Sequence, residues 1–302
     1  MHSSFKLKPV APFRLDLTVW ALRRRQDNLV DRWDGSVYRR LFVLNGKGID
    51  VAVVQSGSPD KPELNVEASA VLSPVVEKAL AAILERMLGT KKDLSEFYQL
   101  AEKDSMLAPL VQRFMGLKPP RFPSMFEALV NGIACQQITL TLGIQLLNRL
   151  ATNYGISIKE KNAFAFPRPQ DIAGLDIEDV RKLGFSKQKA RAIIELAQVF
   201  MNDYLEFENM ESLDDETIRV RLCDLRGVGR WTAEYAMLRG LGRIHLFPGD
   251  DVGARNKLRR WLKLEKPISY EDVRDILSRW EPCGGFIYFH LLLGSLAEEG
   301  LL

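Results

Sequence analysis

The chain has 302 residues, 46% of them hydrophobic and 27% charged, with a net charge of +3. That is the profile of an ordinary globular protein large enough for two or three domains, and it neither demands nor excludes a polyanionic partner. No apolar run is long enough to span a bilayer, and Met1-His2-Ser3-Ser4-Phe5-Lys6 lacks the apolar core of an export signal, so a cytoplasmic protein with no membrane partner is expected. Cys135, Cys223 and Cys283 are odd in number and widely spaced, which suits a reducing compartment better than a disulfide framework.

Residues from about Phe13 to Ala70 read as mixed α/β. Val19-Trp20-Ala21-Leu22 begins a short helix or a strand. Ser36 to Leu44 reads as a strand closed by the turn Asn45-Gly46, and Ile49 to Val54 alternates as its hairpin partner. Leu64-Asn65-Val66-Glu67 adds a third strand after the turn-rich Gly57-Ser58-Pro59-Asp60. The pattern then turns helical. Pro74 to Leu88 carries apolar residues at helical spacing, and Pro119-Pro120-Arg121-Phe122-Pro123 separates it from two further helices within Ser124 to Tyr154. Phe166-Pro167-Arg168-Pro169 is another break, and Leu183-Gly184-Phe185-Ser186 joins two helices. Ser212-Leu213-Asp214-Asp215 looks like a capped helix start. The fold class is therefore mainly α with a small N-terminal α+β domain. The N-terminal domain with its antiparallel sheet is expected over 1–72, and a helical region over 73–302, of which 118–230 carries the central helices and a hairpin.

Three basic clusters punctuate the chain: Arg23-Arg24-Arg25 with Arg39-Arg40; Lys187, Lys189 and Arg191; and Arg255, Lys257, Arg259 and Arg260. Taken singly, each reads as a solvated face. The third differs because it follows Asp251 directly, where phosphate contacts are useful. The densest signal is Leu225-Arg226-Gly227-Val228-Gly229-Arg230-Trp231-Thr232-Ala233, followed by Pro248-Gly249-Asp250-Asp251. Gly227 and Gly229 allow positive φ and close backbone approach, and a helix starts at Arg230. Amides around Val228, Gly229 and Trp231 are placed to cradle one phosphate without reading sequence. A plain helix–turn–helix uses glycines in the same way, so the hairpin alone is weak evidence. Asp251, twenty residues after Trp231, gives the hairpin a carboxylate. Asp250 is assigned the structural, helix-capping part and Asp251 the chemical one.

This constellation resembles the helix-hairpin-helix, Gly/Pro-Asp superfamily of DNA base-excision glycosylases. The run Gly229-Arg230-Trp231-Thr232-Ala233-Glu234-Tyr235 is most similar to the bacterial inducible 3-methyladenine-DNA glycosylase II family. Phe126 to Ile138, Leu183 to Ala190 and Tyr288-Phe289-His290 also resemble family segments. The resemblance implies two helical lobes with a cleft between them, and Asp251 as the catalytic carboxylate that stabilises positive charge on the sugar. It implies DNA contacts at Gln137, which falls on the wedge position, and at Gly227, Val228, Gly229, Arg230 and Thr232. The carbonyls of Cys223, Leu225 and Val228 are implied ligands of a structural Na+ or K+, with no cofactor required. Members with lyase activity place a lysine where Trp231 stands, so a monofunctional enzyme is expected, working as a monomer on duplex DNA containing a damaged base. Trp231 and Tyr235, one turn apart, are the expected base pocket and favour alkylated, electron-poor purines. Leu292 and Leu293 stand where some relatives have aromatics, which leaves one wall in question, with Trp20 as a substitute from the N-terminal region. The superfamily's iron–sulfur clusters need four close cysteines, and only Cys283 lies near the C-terminus, so no cluster is expected. Two alternatives remain: a glycosylase for oxidised or deaminated purines on the same fold, or a non-catalytic DNA-binding protein using the hairpin alone.

Overall fold

A computed structural model describes residues 2–203, 207 and 209–302. Five strands form one antiparallel sheet: β1 (Ser3–Leu7), β2 (Arg32–Trp33), β3 (Val37–Leu44), β4 (Lys47–Ser56) and β5 (Glu63–Ala68), in the spatial order β1-β5-β4-β3-β2. β3 and β4 pair from Val37↔Val54 to Leu44↔Lys47. Their turn uses Asn45 at φ 50° and Gly46 at φ 74°, as a two-residue hairpin of matching twist requires. Ile49, Val51 and Val53 alternate inward on β4, as Leu64, Val66 and Ala68 do on β5.

Val19–Leu22 lies in a helix, α1 (Leu15–Arg23). Leu15, Val19 and Leu22 face one hydrophobic core, while Leu17, Trp20 and Ala21 face another. A helix that divides two cores has no polar stripe, which is why its periodicity could not be told from a strand's. α2 (Pro74–Met87) starts on the cap Ser73, whose side chain accepts the Val76 amide. α3 (Ser95–Glu102) and α4 (Leu107–Arg113) lead to α5 (Met125–Cys135) and α6 (Leu140–Tyr154), which start on capping side chains of Ser124 and Thr139. A two-stranded ribbon, β6 (Ser157–Ile158) and β7 (Ala163–Phe164), and two short helices, α7 (Pro169–Ile172) and α8 (Ile177–Arg181), follow. Gly184 at φ 103° turns the chain into α9 (Lys187–Asn202). Further α-helices are α10 (Asp215–Cys223), α11 (Arg230–Ala236), α12 (Val252–Trp261), α13 (Tyr270–Leu277) and α14 (Ile287–Glu298).

The first core joins the sheet to α2, α5, α6, α9, α10 and α11. The second gathers α3, α4, α12, α13 and α14 around α1. A buried polar bridge fixes the sheet on α5. Asp31 accepts Tyr38 Oη and Arg40 Nη1, both at 2.7 Å, and Arg40 Nη2 reaches Glu127 at 2.6 Å. Losing one partner of so enclosed a pair strands a charge, at a cost of about 3–5 kcal/mol.

Candidate active site

A cleft of about 980 Å3 opens between the two cores, with α5, α9 and α11 on one side and α12 and α14 on the other. The hairpin forms one lip. Gly227 adopts φ 79°, and a Cβ there would stand 2.6 Å from Ala192 Cβ on α9, so both its backbone and its neighbour require glycine. Gly229 differs from the expectation: it is the N-cap of α11, at φ −97° and ψ −179°, with nothing within 4 Å of a Cβ position. Its value is open space above the first amides of the helix, not a left-handed turn. The Val228 amide is not among the free donors, because it bonds to the Leu225 carbonyl at 3.1 Å. Among the described residues, no backbone amide bonds to the carbonyls of Cys223 or Val228, which leaves these oxygens open to a hard cation.

The turn after α5 is tied to this hairpin. Gln136 Nε2 donates to the Gly227 carbonyl and to Thr232 Oγ1, each at 2.8 Å. Lys189 Nζ donates to the carbonyls of Ala134 at 2.9 Å and Gln136 at 2.7 Å, satisfying the end of α5 with a cation. Lys189 is therefore not on a solvated face, and burial lowers its pKa. Thr232 is itself buried and serves this tie. Gln137 projects beyond it, exposed, on a left-handed backbone at φ 56°.

Asp251 is the N-cap of α12: its Oδ1 accepts the Ala254 amide at 2.8 Å. The capping role expected of Asp250 thus falls to Asp251, whose Oδ2 faces the cleft with Tyr288 Oη at 3.4 Å. Asp250 instead pairs with Arg230, Nε to Oδ2 at 2.6 Å and Nη2 to Oδ1 at 3.0 Å. The Arg230 guanidinium lies 3.8 Å from the centre of the Tyr270 ring, and Tyr270 Oη donates to Glu234 Oε1 at 2.6 Å. A Cβ on Gly249 would lie 2.6 Å from that ring. Burial raises the Glu234 pKa, while Tyr270 and the Gly249 amide lower it. Helix α11 thereby clamps the loop that delivers Asp251.

Trp231 and Tyr235 stack at 5.6 Å with 29° between their planes, and both line the cleft. Trp231 Nε1 is buried without an acceptor among the described residues. Opposite stand Tyr288, Leu291 and Leu292. Burial and the nearby Asp251 push the Tyr288 hydroxyl well above its ordinary range. Tyr288 thus supplies an aromatic wall despite Leu292. Trp20 does not replace it: Trp20 packs in the second core, under Arg23.

Several site residues escaped the sequence reading. Arg24 is buried at the end of α1 and lines the cleft. No local signal marks it: Arg25, the next residue, pairs with Glu299 at the surface. Arg23 is also buried, donating to the carbonyls of Arg25 and Trp33. Lys257, in the second turn of α12, also lines the cleft; burial lowers its pKa and Asp251 opposes the shift.

The comparisons with known proteins fit this geometry. A putative DNA-3-methyladenine glycosylase of Bacillus subtilis is 26% identical over 280 residues, covering 92% of this chain and 94% of its own. DNA-3-methyladenine glycosylase 2 of Escherichia coli is 27% identical over 261 residues, 85% of each chain. The solved 3-methyladenine DNA-glycosylase from Archaeoglobus fulgidus superposes with a TM-score of 0.84 at 25% identity, covering 96% of this chain and 97% of that one. The model of the HhH-GPD superfamily base excision DNA repair proteins matches residues 130–282, from α5 past the hairpin and Asp251, and the chain belongs to that superfamily.

Proposed function

We propose that this protein is a monofunctional DNA glycosylase of base excision repair that hydrolyses the N-glycosidic bond of alkylated purines, of the 3-methyladenine and 7-methylguanine type, turned out of duplex DNA. The observation that carries the reading is Asp251: one oxygen is spent on the helix cap, and the other is presented to a cleft walled by the Trp231–Tyr235 stack. Relatives named for 3-methyladenine over most of their length support the substrate class.

In this account the amides of Gly229, Arg230 and Trp231 hold one phosphate, and a Na+ or K+ on the carbonyls of Cys223, Leu225 and Val228 offsets its charge. Gln137 enters the gap left by the flipped nucleotide. The damaged base stacks on Trp231 and Tyr235. As the C1′–N bond breaks, its electron pair goes to the base, and a cationic alkylpurine leaves neutral. Asp251 stabilises the sugar cation, water oxygen bonds to C1′, and the water proton passes to Asp251 and then to solvent. Arg230 acts through the Asp250 loop as well as at the phosphate. Residues 1–72 form the small N-terminal domain, and the protein works as a cytoplasmic, nucleoid-bound monomer. No helix among the described residues is long and apolar enough to cross a membrane.

The test is base release from duplexes that each carry one defined lesion, with and without alkali. Alkylated purines should be released, strand cleavage should need alkali, and borohydride should trap no adduct, because tryptophan occupies the lyase lysine position. Efficient trapping during turnover would refute the monofunctional mechanism.

A further inference from the structure

Arg24 is 3% exposed and lines the cleft, yet no carboxylate pairs with it among the described residues. Its Nη1 donates to Tyr235 Oη at 2.8 Å and lies 4.0 Å from Cys135 Sγ, its Nη2 donates to Asn131 Oδ1, and its buried Nε has no partner among the described residues. The residue sits on a left-handed backbone at φ 64°, a conformation unfavourable to a non-glycine residue. Beyond it, Arg239 is 0% exposed; among the described residues its side chain donates to the carbonyls of Ala21 and Leu22 and lies over the rings of Phe122, Tyr235 and Phe289. Both guanidinium groups are thus held by neutral partners, Arg24 at the cleft wall and Arg239 behind it. Buried charges are ordinarily paired, so a lone cation at a cavity wall points to a ligand that brings the missing negative charge.

Neither Asp251 nor the Trp231–Tyr235 stack supplies such charge on the base, but the reaction can. We infer that Arg24 faces the flipped base and stabilises the negative charge a neutral purine gathers as it leaves. The inference rests on the cleft being the base pocket. When the C1′–N9 bond of a neutral purine breaks, its electron pair delocalises over the ring nitrogens and any 6-keto oxygen. The guanidinium keeps its protons and donates hydrogen bonds to that density. Water oxygen bonds to C1′, its proton goes to Asp251, and solvent returns a proton to the departed base. A cationic alkylpurine leaves as a neutral molecule and gains little from this donor. Arg24 therefore extends the pocket to neutral purines, while the aromatic stack favours cationic ones.

Hypoxanthine and 7-methylguanine make the test clean, since both carry a 6-keto group and only the second is cationic. Single-turnover kcat/KM is measured on both lesions in one duplex context for wild type, Arg24→Met and Arg24→Lys, each with a melting curve. Wild type should release both bases. Arg24→Met should lower the hypoxanthine-to-7-methylguanine ratio about 100-fold, the scale of one lost oxyanion donor, and Arg24→Lys should hold it within about tenfold of wild type. A ratio unchanged within about threefold in both variants, with both rates falling together, would make Arg24 a packing residue and overturn the inference. Wild-type release of 7-methylguanine without hypoxanthine would overturn it while leaving the alkylpurine reading intact. Release of neither would overturn the base-pocket reading itself.

Discussion

The two hairpin glycines should respond to substitution in opposite ways. At Gly227 a side chain meets φ 79° and the Cβ of Ala192 at 2.6 Å. The left-handed backbone costs Ala about 1–2 kcal/mol. Pushing α9 away adds roughly 1–3 kcal/mol. Gly227→Ala should therefore lose about 2–5 kcal/mol, or about 4–10 °C in melting temperature for a chain of this size. Gly229 is an N-cap on extended backbone with nothing within 4 Å of its Cβ position. Gly229→Asp should melt at or slightly above wild type, because Asp is the better cap. The same carboxylate would sit where the phosphate binds. A repulsion of about 1–3 kcal/mol follows at a few ångströms in an environment between protein surface and water. That raises Kd for duplex DNA roughly 5- to 150-fold, equally with and without a lesion. Melting curves and fluorescence anisotropy at one salt concentration read both quantities. If Gly229→Asp melts as low as Gly227→Ala, or binds lesion-free duplex like wild type, the assignment of Gly229 to a phosphate site is wrong.

Trp231→Ala removes one ring of the stack, and cation–π contact in a desolvated site is worth roughly 1–2 kcal/mol. Its kcat/KM on cationic alkylpurines should fall about 5- to 30-fold further than on hypoxanthine; a uniform loss that tracks melting temperature would leave Trp231 as packing. His290 is buried among Phe97, Phe114 and Phe286, and burial lowers its pKa to about 4. The unfolded chain then binds the extra proton first as pH falls. Stability should be retained at neutral pH and drop by about 3 kcal/mol from this group between pH 6.5 and 4. His290→Leu should flatten that part of the profile in denaturant titrations, and parallel wild-type and variant profiles would exclude the residue as its source.

The sequence made most of the fold legible where one face was buried and the other wet. The β3–β4 hairpin, α2, α5 and α6 follow from alternation, helical spacing and their caps. Strand β1 pairs at the sheet edge, and β2 spans only two residues, too little for a pattern to register. The candidate site was legible where backbone chemistry leaves a motif, at Gly227, but the helix cap is Asp251 and not the expected Asp250, because adjacent aspartates before a helix give the same local signal. It was not legible where a side chain travels far. Arg24 and Lys189 looked like surface charges and Asp250 like a helix cap, and each has partners or surroundings supplied by elements distant in the chain. Local sequence does not encode which of three consecutive arginines points into a cavity.

Asp251→Asn separates the charge of Asp251 from its helix cap. Asparagine caps a helix as well as aspartate does, so the bond to the Ala254 amide and the fold should survive. Only the charge facing the cleft is lost. Single-turnover release of 7-methylguanine should fall at least about 100-fold, with melting temperature and affinity for damaged duplex close to wild type. Retention of more than about a tenth of wild-type turnover would contradict the account.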